Sequence, residues 1–429
     1  MTINRSLFKL ASLSLLVFST NAFATEFNGY IVKLKDSHSL VGVKALSKFG
    51  SVQKVSKTQF GTFVKVETAE SLTSDSMQSL AKNPMVEYVE PNWIIKVADT
   101  KSQMVEPADD LYKKQWGLKN TGKNGGLFGG VAGEDVNALK AWSVTRGSTD
   151  IKVAVIDTGV DYRHPDLKNQ MDVNTLELNG KAGVDDDQNG YVDDVYGYDF
   201  SNKDGDPMDG HSHGTHCAGV IGASHDGKGI AGVMGNVRIV GIKFLSDKGS
   251  GETIDAISSI EYAMKRGVNV MSNSWGGGEF SQALMDAISS ANDAGIVFVA
   301  AAGNESSNND SRPTYPASYD LPNIVTVGSY ASSGSASSFS NYGVKSVHVF
   351  APGSSILSTV PNGKYSNMSG TSMACPHVSG VVGLMLAQNP NLSPSEVKER
   401  LIQTSKKTSK LQGRSVSSGR VDAFEVLTK

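Results

Sequence analysis

The chain has 429 residues, and its 39% hydrophobic content is enough for a sizeable core in two or three domains. A formal net charge of -3 supplies no basic field, which argues against nucleic acid and anionic membrane surfaces as partners. Only two cysteines occur, Cys217 and Cys375, so a disulfide-dense framework is excluded; a single bridge and two buried thiols both fit.

In chain order, the first segment is a leader. Arg5 and Lys9 carry positive charge, LASLSLLVF is a short apolar core, and Ala22-Phe23-Ala24 makes an A-x-A cleavage site. Residues 1–24 therefore read as a signal peptide for export, with a mature start at Thr25. An apolar run of about ten residues is too short to span a bilayer, and no later segment reaches spanning length, so no membrane insertion is predicted. Residues 25–104 follow as a small α+β unit. GYIVKLK, SVQKVSK, GTFVKVET and VEYVEPNWIIKV read as strands, while SHSLVGVKALSKFG and AESLTSDSMQSLAKNP read as helices. The order β-α-β-β-α-β is the ferredoxin-like split βαβ pattern. The polar stretch ADTKSQMVEPADD then reads as an exposed linker, either a cleavable junction or a plain spacer.

From about residue 150, the apolar runs IKVAVID, VRIVGIKFL, VNVMSNSW, GIVFVAAAG and IVTVGSY alternate with helical patterns. Runs without polar alternation are strands buried on both faces, which predicts an α/β domain with a mostly parallel sheet between two layers of helices. Ligands in such sheets sit at the carboxyl ends of strands, and Asp157 and Asn304 directly follow two of the runs. SPSEVKERLIQTS and GRVDAFEVL read as closing helices, so residues 105–429 are expected to form one domain that ends the chain.

GTSMACPHVSG, residues 370–380, runs into the apolar helix-like VVGLMLA. Small residues ahead of Pro376 fit an ordinary helix start, in which the proline's missing N–H would go unused. They equally fit a nucleophile, Ser372, at a helix N-terminus where backbone N–H groups stabilise an oxyanion. A serine hydroxyl is a weak nucleophile until an imidazole takes its proton, and that imidazole needs a carboxylate to fix its tautomer. His213 in DGHSHGTHCAG and Asp157 in VAVIDTGVD supply these groups, and the Asn304 amide in AAGNESS supplies a second oxyanion donor.

The order Asp157, His213, Ser372, with DTGV, HGTH and GTSMA around them, resembles the subtilisin-like serine proteases. The resemblance implies a three-layer subtilisin-like domain, protein or peptide substrates, and secretion as a monomeric zymogen. YIVKLKD and NPMVEYVEPN resemble that family's inhibitory propeptide, and DDLYKKQWGL resembles its mature start. SNSWGGG resembles the edge segment that pairs with extended substrate, through Ser274, Trp275 and Gly276. Ala301, Ala302 and Gly303 are similar to the opposite wall of the first specificity pocket and Thr314 to its floor, implying an uncharged residue before the scissile bond.

VDDDQNGYVDDVYGYDF presents Asp185, Asp187 and Asn189 at alternate positions before Gly190, followed by Asp193 and Asp194. Alternating oxygen ligands around a glycine turn suit structural Ca2+, with an acidic solvated loop as the plainer alternative. By resemblance, Asp199, Asp204 and Asp206 form a second candidate calcium site, and Asp109 with Asp166 a third. Two rival functions remain: a zinc hydrolase using His211, His213, His216 and Cys217 of HSHGTHC, and a non-catalytic peptide-binding relative.

Overall fold

The structure, a computed structural model, describes residues 27–35, 43–44, 46–67, 79–97, 103–104, 111–125 and 129–429. The predicted leader, most of the linker and Asp109 lie outside the described residues. In the first unit, β1 (Phe27–Leu34), β2 (Ser51–Thr58), β3 (Gly61–Glu67) and β4 (Val86–Val97) pair antiparallel in the order β4-β1-β3-β2. Of the two predicted helices, residues 43–44, 46 and 79–81 are described, and they are helical. Alternation along β1 and β3 divides their side chains between two faces. Val32, Leu34, Val64 and Val66 build the unit's own core with Leu46 and Leu80, while Ile31 and Phe63 join the core of the following domain.

The remaining strands are β5 (Gln103–Met104), β6 (Gly147–Asp157), β7 (Gly197–Asp199), β8 (Asn236–Lys243), β9 (Ser250–Glu252), β10 (Val270–Asn273), β11 (Trp275–Gly276), β12 (Val297–Ala301), β13 (Ile324–Tyr330), β14 (Val349–Pro352), β15 (Ile356–Val360), β16 (Lys364–Met368), β17 (Lys406–Lys407) and β18 (Gly419–Arg420). One large sheet runs β17-β18-β14-β13-β12-β10-β6-β8-β7, parallel throughout except between β17 and β18. The helices are α1 (Ala138–Ala141), α2 (Thr175–Asn179), α3 (His213–Gly222), α4 (Thr253–Lys265), α5 (Gln282–Asp293), α6 (Thr371–Gln388), α7 (Pro394–Thr404) and α8 (Ala423–Thr428).

The apolar runs explain the layering. Val153 and Val155 of β6 pack with Cys217, Ala218, Met373 and Val378 of α3 and α6, whereas Ala154 and Ile156 pack with Ile254, Ile257, Ala283 and Ala287 of α4 and α5. A strand whose successive side chains enter two different cores must be apolar where it does so, as Val153, Ala154, Val155 and Ile156 are. The mostly parallel sheet with helices on both faces is the predicted three-layer α/β architecture. Helix α6 is buried along nearly its whole length, which fits an all-round apolar helix passing through the core. Among the described residues, no helix is long and apolar enough to cross a membrane.

Candidate active site

Three elements of the large sheet layer converge where β6 ends. Asp157 is the last residue of β6, His213 the first of α3, and Ser372 sits in the first turn of α6. His213 Nδ1 lies 2.7 Å from Asp157 Oδ1, both side chains being buried. A carboxylate only accepts, so Nδ1 carries the proton and Nε2 is left as the basic nitrogen. Neither His213 Nε2 nor Asp157 Oδ2 has a hydrogen-bond partner among the described residues. Ser372 Oγ donates to the Ser274 carbonyl at 3.1 Å, and Ser274 Oγ donates back to the Ser372 carbonyl at 2.9 Å. Asn304 follows β12 and accepts at Oδ1 from Thr371 N at 2.8 Å and Thr371 Oγ1 at 3.0 Å, which fixes its amide at the start of α6.

Pro376 corrects one sequence expectation. As the sixth residue of α6 it stands where an N–H would bond the carbonyl four residues earlier, that of Ser372, so its missing donor is not idle. The freed Ser372 carbonyl accepts from Ser274 Oγ and, at 3.4 Å, from the Cys217 thiol. Cys217 and Cys375 are free and buried. Burial pushes the Cys217 thiol well above its ordinary value and Cys375 up to about 11, so both remain protonated.

The HSHGTHC cluster divides in the same way. Asp157, His213 and Cys217 have ligand-type atoms within 4.8 Å of one another. The carboxylate and imidazole are bonded to each other, however, and the thiol faces a carbonyl. His216 Nε2 contacts the Ile356 and Ser366 carbonyls at 2.9 and 3.2 Å, and burial lowers its pKa to about 3, holding it neutral.

β4 occupies the edge between β9 and β11. β4 pairs antiparallel with β11, matching Val97 to Trp275 and Lys96 to Gly276, and antiparallel with β9 on its other side, matching Ile94 to Glu252 and Lys96 to Ser250. β11 directly follows Ser274, so β4 runs toward Ser274, which is bonded to Ser372 at the start of α6. Across the edge, a Cβ added at Gly276 would lie 3.1 Å from the Tyr315 carbonyl and 3.6 Å from Thr314 Cγ2, placing Thr314 against the Ser274–Gly276 wall. Ala301, Ala302 and Gly303 are buried at the end of β12, and Thr371 Oγ1 accepts from Gly303 N at 3.2 Å.

Ion pairs and a helix cap hold the first unit down. Lys33 contacts Asp286 at 3.4 Å, Lys65 contacts Glu252 at 2.6 Å, and Lys54 pairs with Asp255. Glu90 accepts from Ser281 Oγ at 2.7 Å, Gln282 N at 2.6 Å and Ala283 N at 3.1 Å, satisfying the N-terminus of α5.

The acidic candidates fall into separate places. Carboxylate oxygens of Glu177, Asp185 and Asp187 lie within 4.8 Å of one another. Three carboxylates converging on one point fit a hard divalent cation. Glu177, in the short helix α2, was not singled out from sequence; it accepts from the N–H groups of Asp186, Asp187 and Asp193 and so folds the loop around itself. Asn189 turns its Nδ2 toward Asp187 and Asp194, at 3.0 and 3.1 Å. Asp193 Oδ2 accepts from Gly183 N at 2.8 Å. Asp194 is bound by Tyr262 Oη at 2.5 Å and Arg266 at 3.3 Å, and burial raises its pKa. Asp199 caps a turn through Ser201 and Asn202, Asp204 accepts from Asp206 N, and Asp206 accepts from Tyr162 Oη. Asp166 Oδ2 accepts from Ile230 N at 3.0 Å and Tyr365 Oη at 2.9 Å.

A carboxylate, an imidazole and a serine hydroxyl gathered at the carboxyl edge of a parallel α/β sheet define the architecture of a serine hydrolase. Residues 148–419 match the subtilase family, Peptidase_S8. The chain belongs to that family and is a serine endopeptidase acting on peptide substrates. It is 37% identical over 374 residues to the "Thermophilic serine proteinase" of Bacillus sp. (strain AK1), covering 87% of this chain and 79% of that one. It is 37% identical over 295 residues to thermitase of Thermoactinomyces vulgaris, covering 68% and 94%. The crystal structure of fervidolysin from Fervidobacterium pennivorans, a keratinolytic enzyme related to subtilisin, superposes with a TM-score of 0.72 at 27% identity. That match covers 95% of this chain and 62% of fervidolysin.

Proposed function

We propose that the chain is the self-processing zymogen of a secreted serine endopeptidase, in which residues 1–24 direct export, residues 25–104 inhibit and assist folding, and residues 105–429 carry catalysis. The observation that carries this reading is the seat of β4 between β9 and β11, where the chain occupies its own peptide-binding edge beside Ser372.

In the reaction, His213 Nε2 takes the Ser372 proton as Oγ attacks the peptide carbonyl, and Asp157 stabilises the imidazolium that forms. The oxyanion is held by the Asn304 amide and the Ser372 N–H, a group in the first helical turn where backbone donors have no intrahelical acceptor. His213 then protonates the leaving amine, and water releases the acyl group by the reverse proton path. Ser274, Trp275 and Gly276 pair with substrate backbone, while Ala301, Ala302, Gly303 and Thr314 line the pocket for the side chain before the scissile bond. Glu177, Asp185 and Asp187 would hold a structural calcium ion, which on binding relieves the repulsion among their charges.

Intact mass of the exported product, wild type beside Ser372→Ala, tests the reading. Loss of the first unit in wild type with its retention in the variant supports it. Equal processing of both overturns self-cleavage by Ser372, and no processing of either overturns the zymogen.

A further inference from the structure

We propose that Asp209 and Lys243 are positioning residues for catalysis, both acting through Thr158; the proposal rests on the triad reading above. Thr158 is the residue after Asp157, and four of its contacts fix it. Its N–H donates to Asp157 Oδ1 at 2.7 Å, and its carbonyl accepts from Lys243 Nζ at 2.8 Å. Its hydroxyl donates to Asp209 Oδ1 at 2.9 Å and accepts from Gly214 N, next to His213, also at 2.9 Å. One side chain thus joins the turn that carries the catalytic acid to the helix start that carries the base.

Asp209 governs the base's side of this junction. It is buried, and it accepts at Oδ1 from His211 N and Ser212 N, at 2.8 and 2.9 Å. At Oδ2 it accepts from Thr215 N and Thr215 Oγ1, at 2.9 and 2.7 Å. Every one of these donors flanks His213 within two residues. Ser212, immediately before it, has φ 90°, a conformation that a non-glycine residue keeps only when its surroundings impose it. In this conformation its N–H donates to the Asp209 carboxylate.

Lys243 governs the other side. Its ammonium is buried at the end of β8, paired in register with Asp157, and spends all three protons on Thr158 O, Leu245 O at 3.1 Å and Asp247 Oδ1 at 2.8 Å. Leu245 and Asp247 belong to the loop that leads into β9, the edge that pairs with extended peptide. The same loop packs on the His213 segment, because a side chain at Gly210 would run into the Asp247 carboxylate. Lys243 therefore ties the peptide-binding edge to the turn of the catalytic acid. None of these groups contacts the reacting atoms. Their value lies in alignment, since a misplacement of about 1 Å can cost on the order of 10²-fold in rate.

The test uses the full chain and its processed product. Thr158→Val removes the hydroxyl while keeping the shape, and Thr158→Ser restores it. Kinetics on a chromogenic peptide after active-site titration should show kcat for Thr158→Val lowered about 10- to 100-fold, the range for losing a buried hydrogen bond to a charge, with KM nearly unchanged. Thr158→Ser should recover most of that loss. Lys243→Met should lower kcat and raise KM together, because it also frees the loop before β9. If Thr158→Val fails to mature, its own first-order cleavage followed by mass replaces kcat, since that reaction has no KM. A kcat or cleavage rate within about threefold of wild type, or a serine variant no better than the valine one, overturns the proposal. Ser372→Ala serves as the control: activity surviving in it refutes the triad itself, whereas an inactive Ser372→Ala beside a fully active Thr158→Val refutes the positioning role alone.

Discussion

Acid should unfold this protein partly through His377, by an amount that follows from its surroundings. His377 lies inside α6, is 2% exposed, and donates its Nδ1–H to the Met373 carbonyl at 2.8 Å. Burial lowers its pKa to about 4, against an unfolded value near 6.5. Because the folded pKa is the lower one, the unfolded chain binds the extra proton as pH falls. The neutral imidazole's contribution is complete above about pH 6.5 and disappears as pH drops toward about 4. That difference corresponds to about 3 kcal/mol in full, of which about 2 kcal/mol is lost between pH 7 and pH 5. His216 adds a loss of the same sign, whereas the carboxylates of Asp194 and Asp209, raised by burial, act in the opposite direction. The raw pH slope therefore mixes signs, and the difference between His377→Gln and its parent isolates one group. Both are made in Ser372→Ala to prevent self-digestion, and denaturant unfolding is followed at pH 7 and pH 5. The variant, less stable at pH 7, should lose about 2 kcal/mol less than its parent on acidification. Equal losses in the two proteins would refute the reasoning.

Asn304→Leu keeps the side chain's bulk but removes the proposed oxyanion donor, so kcat should fall about 10²–10³-fold with little change in KM; subtilisin is itself the measured case for this magnitude. Glu177→Gln removes one of three converging charges. It should weaken calcium protection, read as a smaller rise in melting temperature on adding calcium, and an unchanged rise would remove Glu177 from the site. Glu90→Ala takes the cap from α5. At about 0.5–2 kcal/mol for a lost cap, the first unit should leave the processed complex about 2- to 30-fold faster, measured by size-exclusion chromatography after cleavage.

What could be read from the sequence depended on whether the chemistry constrained neighbours along the chain or across it. The run IKVAVID announced β6 because a central parallel strand must be apolar on both faces. Asp157, His213 and Ser372 stand out in the sequence because a hydroxyl nucleophile demands particular residue types in particular settings, and the structure bonds two of them, His213 and Asp157, to each other. Asp194, by contrast, stands in the acidic loop by sequence, but Tyr262 and Arg266, folded onto it from α4 and its C-cap, claim its carboxylate. Nothing within sixty residues of Asp194 signals that pairing. Glu177 escaped notice for the opposite reason: one acid in a five-residue helix carries no periodic or motif signal until the loop closes around it.

Pro376 shows how a local rule misleads when the partner is distant. Read along the chain, the proline is tolerable near a helix start, yet its position removes the one donor that would have bonded the Ser372 carbonyl. Ser274 takes that carbonyl and offers its own to the Ser372 hydroxyl, so the segment before β11 and the first turn of α6 are joined by two reciprocal hydrogen bonds.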